Sequence, residues 1–202
     1  MTARAPVNGN PKLLDRYIKK ILSANIYDVA IESPLHIAPF LSERMGNNIW
    51  VKREDKQPVY SFKIRGAYNK VVQLTDKEKA AGVVAASAGN HAQGLALASR
   101  ELGIKATIVM PLTTPEIKVK SCKAFGAKVI LHGDTFDEAF AYSQNLVEEK
   151  GFTYIHPYDD PEVIAGQGTI GMEILRQLSE PIDAIFVPVG GGGIIAGIAA
   201  YV

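Results

Sequence analysis

The sequence predicts an α/β protein: a two-lobed fold around a buried parallel sheet, with the second lobe truncated. Three observations predict it. Short runs of Val, Ile and Ala alternate with amphipathic stretches from Gly82 onward. Several of these runs end in small, polar turns that open the next helix. The chain has 202 residues, 47% of them hydrophobic and 21% charged, enough to bury one large core or two small ones. Strands that are apolar without alternation are covered on both faces, as in a parallel sheet flanked by helices.

Each element follows in order. Leu13, Leu14, Tyr17, Ile18, Ile21 and Leu22 form a helical stripe between Lys12 and Asn25. Asn48 to Lys52 reads as a short strand, and Ser61 as the N-cap of a helix reaching Gln73. Gly82 to Ala86 is a strand, and Asn90 to Leu102 a helix. Lys105 to Met110 is the next strand, followed by a helix over Pro115 to Phe125 with proline in its first turn. Ala127 to His132 is a third strand, and Asp134 caps a helix to Glu149. Phe152 to Ile155 closes the series. The turn-rich HPYDDP marks a crossing between lobes. A helix follows from Glu162 to Leu178, then a buried strand from Ala184 to Val189. That strand runs into Gly190 to Gly193 and a final apolar helix. The expected lobes are residues 53–154 for the smaller, and 1–52 with 155–202 for the larger.

Composition narrows the function classes. The net charge is +1, and the 22 Lys and Arg form no basic block, so no nucleic-acid or membrane-surface partner is expected. The single cysteine, Cys122, excludes an internal disulfide framework and suits a reducing compartment. It stands in a helical stretch without a His or Cys cluster, so it reads as a structural thiol, and no metal site is expected. The opening MTARAPVNGNPK has no apolar core of a signal peptide and reads as a short flexible lead. No apolar run reaches membrane length, and a cytoplasmic location is expected.

Three stretches carry chemistry. VPVGGGGIIAG joins a strand to a helix through four glycines. A tight turn needs one glycine with positive φ. Four in a row let several backbone N–H groups at a helix start approach an anion, most naturally a phosphate. The spacing matches neither a Walker loop nor the dinucleotide fingerprint, which favours a smaller phosphorylated group over ATP or NAD. SAGNHAQG, from Ser87 to Gly94, also ends a strand and opens a helix, where ligands bind in open α/β sheets. Its small residues leave backbone N–H groups free for a carboxylate, although alone it equally suits a plain N-cap, and His91 alone more often packs or caps. SFKIRGAY sets Lys63 at a helix start beside Arg65. The helix dipole and the neighbouring cation both favour a neutral, nucleophilic amine. An amine, a phosphate cradle and a carboxylate loop together describe pyridoxal 5′-phosphate.

At this point five collinear stretches resemble a known family: VKREDKQPVYSFKIRGAY, AASAGNHAQG, IVMPLTTPEIKV, GQGTIGMEI and VPVGGGG. They are similar to the N-terminal portion of the biosynthetic threonine dehydratases (threonine ammonia-lyases). That group belongs to the fold-type-II, tryptophan-synthase-β-like pyridoxal phosphate enzymes. The resemblance implies that Lys63 carries the cofactor and is the catalytic base, with Phe62 the aromatic beside it. It implies that Asn90 bonds the cofactor's ring hydroxyl and that Gly190, Gly191, Gly192, Gly193 and the Ile194 amide hold its phosphate. Ser87, Ala88, Gly89, Asn90 and His91 would hold the substrate carboxylate. The implied reaction converts L-threonine, and also L-serine, to a 2-oxo acid and ammonia. With threonine the product is 2-oxobutanoate, in the first step of isoleucine biosynthesis.

The resemblance also implies a homo-oligomer, a tetramer in the full-length family. Further parts of the family lie past the glycine-loop helix: more large-lobe strands, a Ser or Cys for the pyridine nitrogen, a metal segment and a regulatory domain. The 202 residues alone are therefore expected to be poorly soluble or partly folded, with little turnover. A truncated non-catalytic fragment is one alternative. A serine racemase-like or other fold-type-II enzyme is the second, although serine racemases carry a second serine where this chain has Ala88.

Overall fold

The computed structural model describes residues 11–202; residues 1–10 of the predicted lead MTARAPVNGNPK lie outside them, and its last two, Pro11 and Lys12, are helical instead. Helix α1 spans Pro11–Leu22. A two-stranded antiparallel ribbon follows, β1 (Leu35–Ile37) pairing with β2 (Trp50–Lys52), Leu35 opposite Lys52. Helix α2 (Pro39–Met45) joins them. Strand β1 and helix α2 were not anticipated: three and seven residues are too few to show a period.

Helix α3 spans Lys63–Val72. The N-cap position of α3 falls on Phe62, which has helical dihedrals and no capping side chain, so the expected cap is displaced: Ser61 stands one residue earlier, where its Oγ accepts from the Lys63 N–H at 3.3 Å. Helix α4 (Asp76–Ala81) starts from a full capping box, Thr75 with Glu78.

The core is a parallel four-stranded sheet of β3 (Val83–Ala86), β4 (Ala106–Met110), β5 (Lys128–Leu131) and β6 (Thr153–Tyr154), in the order β5-β4-β3-β6. Helices α5 (Asn90–Glu101), α6 (Glu116–Ala124) and α7 (Phe136–Lys150) connect them. The period-2 alternation decides which helix each strand residue meets. Val83, Ala85, Ile108 and Met110 pack with Leu95 of α5 and Cys122 of α6. Val84 and Val109 face the other way, onto Ala139 and Leu146 of α7. Cys122 is a buried structural thiol, pushed up to about 11 by burial.

Two further expectations are corrected. Asp134 does not cap α7: Thr135 does, in a capping box with Glu138, whose carboxylate also accepts from the Asp134 N–H. Thr135 has the extended dihedrals that a cap requires. The stretch from Ala184 to Val189 is not a buried strand. It pairs with no described strand, so no ladder defines it, and Phe186 is 95% exposed.

Helix α8 (Pro161–Gln177) is capped by Asp160, which accepts from the N–H groups of Glu162 and Val163. It crosses α3 at backbone contact, since a Cβ on Gly166 would stand 2.7 Å from the Gly66 Cα. Helix α9 (Gly193–Tyr201) packs on the other side of α8, where Ile198 meets Ile170 and Ile174. An ion pair from Lys20 to Glu162 ties α1 to α8.

The order β5-β4-β3-β6 contains a reversal. The connections through α5 and α6 move away from β3 in one direction, and α7 returns the chain to its other side. The loops leaving β3 and β6 therefore diverge at a topological switch point, the usual ligand crevice of an open α/β sheet.

Candidate active site

Helix α5 and the loop after β6 both border the start of α3. The loop after β6 begins at Ile155, and its carbonyl bonds His91 Nε2 of α5 at 2.8 Å. Its next carbonyls belong to His156 and Pro157, and Lys63 Nζ donates to Pro157 O at 2.6 Å. The backbone of α5 passes close by, since a Cβ on Gly94 would stand 3.1 Å from the Lys63 carbonyl carbon. Lys63 is thus gripped by α5 below and by the post-β6 turn above.

The glycine loop completes the enclosure. Phe62, Lys63, Pro157, Tyr158, Gln167, Pro188, Val189, Gly190 to Gly193 and Ile194 line one cavity of about 290 Å³. Gly192 adopts φ +89°, a left-handed conformation that admits glycine at little penalty. The Tyr158 ring packs against Gly191, where a Cβ would stand 2.3 Å from its ring carbons, and a Cβ on Gly193 would stand 2.5 Å from the Tyr158 carbonyl oxygen. Gly193 opens α9 and lines the cavity, so a helix start with its free N–H groups borders it.

Burial pulls the Lys63 amine below its ordinary lysine range. The direction is the expected one, but the cause is corrected. Arg65 exerts no such push, because its guanidinium is fully buried on another side of α3 and paired with Glu54 and Glu173. The ammonium instead meets a neutral carbonyl in a desolvated place, and it lies 5.4 Å over the Phe62 ring.

The structure brings together Phe62, Lys63, Gly190 to Gly193 and Ile194. Ser87, Ala88, Gly89, Asn90 and His91 do not line that cavity. Ser87, Ala88 and Gly89 form the loop between β3 and α5, where the Ser87 N–H extends the sheet to Val109 O at 3.1 Å, and Asn90 and His91 belong to the first turn of α5, with Asn90 exposed there. The His91 ring is buried and committed to Ile155, and burial brings its pKa down to about 4. Its Nδ1 has no hydrogen-bond partner among the described residues.

Sequence reasoning missed Pro157, Tyr158 and Gln167. The first two were read only as part of a lobe crossing; their place just past a strand at the sheet's reversal was the available signal. Gln167 is buried on α8 and accepts from the Gly66 N–H at 3.3 Å. Among the described residues no cluster of three His, Cys, Asp or Glu could hold a metal ion, and no helix is long and apolar enough to cross a membrane.

Comparison with known proteins shows the family of the chain. The chain is 61% identical over 185 residues to a chloroplastic biosynthetic threonine dehydratase 1 of Solanum lycopersicum, covering 92% of this chain and 30% of that protein. It is 55% identical over 189 residues to a biosynthetic L-threonine dehydratase of Burkholderia multivorans, covering 92% of this chain and 37% of that one. The chain therefore spans about a third of the length of the curated relatives it matches. Processed threonine deaminase isoform 2 from Solanum lycopersicum superposes with a TM-score of 0.94 at 55% identity, covering 98% of this chain and 54% of that one. Maize serine racemase superposes less closely, at 0.88 and 36% identity over 91% of this chain and 56% of that one. Residues 26–202 match the model of one family, and the chain belongs to it: the pyridoxal-phosphate dependent enzymes.

Proposed function

We propose that this chain supplies the cofactor lysine and phosphate loop of an ammonia-lyase that converts L-threonine, and also L-serine, to a 2-oxo acid and ammonia. The observation that carries the reading is one cavity walled by a desolvated amine on one side and a glycine cradle at a helix start on the other. Those features suit a molecule with an aldehyde at one end and a phosphate at the other. Bound pyridoxal phosphate supplies an electron sink that acidifies the α-proton of an attached amino acid.

The chain's own residues do the rest. Lys63 would hold the cofactor and, once released, take the α-proton, which its desolvated and weakly basic amine suits. Gly190 to Gly193 and the Ile194 amide would anchor the phosphate. Phe62, packed with Ile194 against Ile170 and Ile174, would bound the ring from the side of α3. Asn90, exposed where α5 starts, would reach the ring hydroxyl. The amides of Ser87 to His91 would receive the substrate carboxylate, while the His91 ring stays neutral and bonded to Ile155. Ala88 offers no proton, which favours elimination over racemisation.

The same reading sets the cavity between two lobes, residues 53–154 and the larger lobe formed by 155–202 with the N-terminal segment. It includes a homo-oligomer and cytoplasmic residence, for which the lone buried thiol is the support. Curated relatives carry chloroplastic and mitochondrial names as well. The test is product analysis with the full-length protein. 2-Oxobutanoate and ammonia from L-threonine are expected, with L-serine giving its 2-oxo acid. D-serine as the main product from L-serine would replace this reading with the racemase one.

A further inference from the structure

A buried ion cluster surrounds α3 on the side away from the cavity. Arg65 is completely buried, and all three of its guanidinium nitrogens are engaged. Nε and Nη2 donate to the two oxygens of Glu54 at 2.8 and 2.7 Å. Nη1 and Nη2 donate to the two oxygens of Glu173 at 2.6 and 2.9 Å. Thr169 Oγ1 and the Ile31 carbonyl accept at 3.1 and 3.3 Å. Lys52 Nζ stands 2.6 Å from Glu173, and Tyr27 donates to the same carboxylate at 2.8 Å. Two cations thus face two carboxylates, drawn from β2, the turn before α3, α3 itself and α8.

Stability alone does not account for this arrangement. A buried ion cluster gains little over apolar packing of the same volume. What a doubly forked guanidinium supplies is fixed geometry. Further along α3, Asn69 donates to the Glu162 carbonyl at 2.7 Å and Lys70 pairs with Asp160 at 2.8 Å, which holds that end of the helix against the start of α8. At the crossing, Gly66 and Gly166 let the backbones touch and Gln167 accepts from the Gly66 N–H, so the charged fork at the first turn of α3 is that of Arg65. Arg65 follows Lys63 by two residues, so the two side chains leave α3 roughly 200° apart. One can be clamped while the other reaches the cavity.

We propose that Arg65 is the positioning residue for the Lys63 amine: its guanidinium, forked between Glu54 ahead of α3 and Glu173 on α8, locks the roll of the first turn and fixes where the amine stands. This inference rests on Lys63 being the cofactor lysine. Weakening the fork lets the first turn roll, and the amine leaves the Pro157 carbonyl for water. The titratable groups near the amine are His91 on α5 and Tyr158, which lines the same cavity, and neither is substituted in the test.

The test uses full-length parent protein, Arg65→Lys, and the double variant Arg65→Met with Glu173→Met. Lysine keeps the charge but cannot fork. The double variant removes one charge of each sign and leaves Lys52 with Glu54, so the cluster stays neutral and compatible with folding. Circular dichroism and thermal unfolding check the fold. Each protein is mixed with pyridoxal phosphate between about pH 5 and pH 10, reduced with borohydride, and mapped by peptide mass spectrometry. The expected result is a fall in Lys63 labelling rate at neutral pH of about 10- to 100-fold in both variants. The pH midpoint of labelling should also rise towards that of an ordinary lysine. A purely structural role would lower the unfolding temperature and leave that midpoint in place. Folded variants labelled with the parent's rate and midpoint would overturn the positioning role. A parent not labelled at Lys63 would overturn the cofactor assignment itself and this inference with it. Where the double variant does not fold, Arg65→Lys decides on the same two readouts.

Discussion

Lys63 Nζ donates to the carbonyl of Pro157 at 2.6 Å, joining the start of α3 to the turn after β6 across 94 residues of chain. A carbonyl holds an ammonium without neutralising it, so burial is left to lower its basicity. Replacing Lys63 by Met in the full-length protein should therefore remove function without harming the fold. Release of 2-oxo acid should fall by about 10³-fold or more. The unfolding temperature should stay level or rise, because a desolvated amine is exchanged for an apolar group of similar length. Calorimetry beside a 2-oxo acid assay checks both; a large loss of stability would make Lys63 a structural cation.

The glycine loop should answer substitution position by position. A Cβ on Gly190 meets nothing within 4 Å, so Gly190→Ala should leave the unfolding temperature of the cofactor-free protein unchanged. Gly193→Ala drives a methyl to 2.5 Å from the Tyr158 carbonyl, and Gly191→Ala drives one into the Tyr158 ring. Both should lose about 1–3 kcal/mol by overpacking and bind pyridoxal phosphate more weakly. Gly192→Ala meets no atom within 4 Å but holds φ +89°, so its loss should come from backbone strain, about 1 kcal/mol. Equal effects at all four positions would contradict the close fit of Tyr158 on this loop.

His91 should make stability fall in acid. Its folded pKa is depressed from 6.5 to about 4, chiefly by burial. Between those values the unfolded chain binds the proton and the folded one does not, so stability is intact above about pH 6.5 and declines as pH falls towards 4. The loss is of the order of 2–3 kcal/mol. His91→Gln keeps a donor for the Ile155 carbonyl and removes the titration. Urea unfolding at about pH 7 and pH 5 should show a steeper decline for the parent than for the variant; parallel declines would mean that His91 is hydrated.

Helix α4 offers a control remote from the cavity. Thr75→Ala breaks the capping box with Glu78, and should lower stability by about 1 kcal/mol. Affinity for pyridoxal phosphate should not change, because neither residue lines the cavity. A change in cofactor affinity would mean that α4 couples to the site.

Much of the fold was legible because periodicity and caps are local. The strand runs around Val84, Ile108 and Val129 and the helix following each were readable from apolar pattern and turn chemistry. Thr135 was passed over for Asp134 because both residue types cap, and only the backbone dihedrals decide between them. Ala184 to Val189 is apolar enough for a strand, but a strand also needs a partner, which its own residues do not specify. In the site, Lys63 and the glycine loop announced themselves by residue type. Pro157 and Tyr158 did not, since their role comes from the order of strands in the sheet. Arg65 was misread for a related reason. Its charge is visible in the sequence, while its carboxylates arrive from 11 residues before and 108 residues after it.

The most direct measurement is the site of cofactor attachment. Full-length protein equilibrated with pyridoxal phosphate, reduced with borohydride and digested should yield one phosphopyridoxyl peptide, SFKIRGAY with its flanks, modified at Lys63. Gly193→Ala should lower its yield, since the cradle and the amine belong to one cavity. Modification spread over surface lysines, or a Lys63 yield indifferent to the glycine loop, would contradict the assignment of this cavity as the cofactor site.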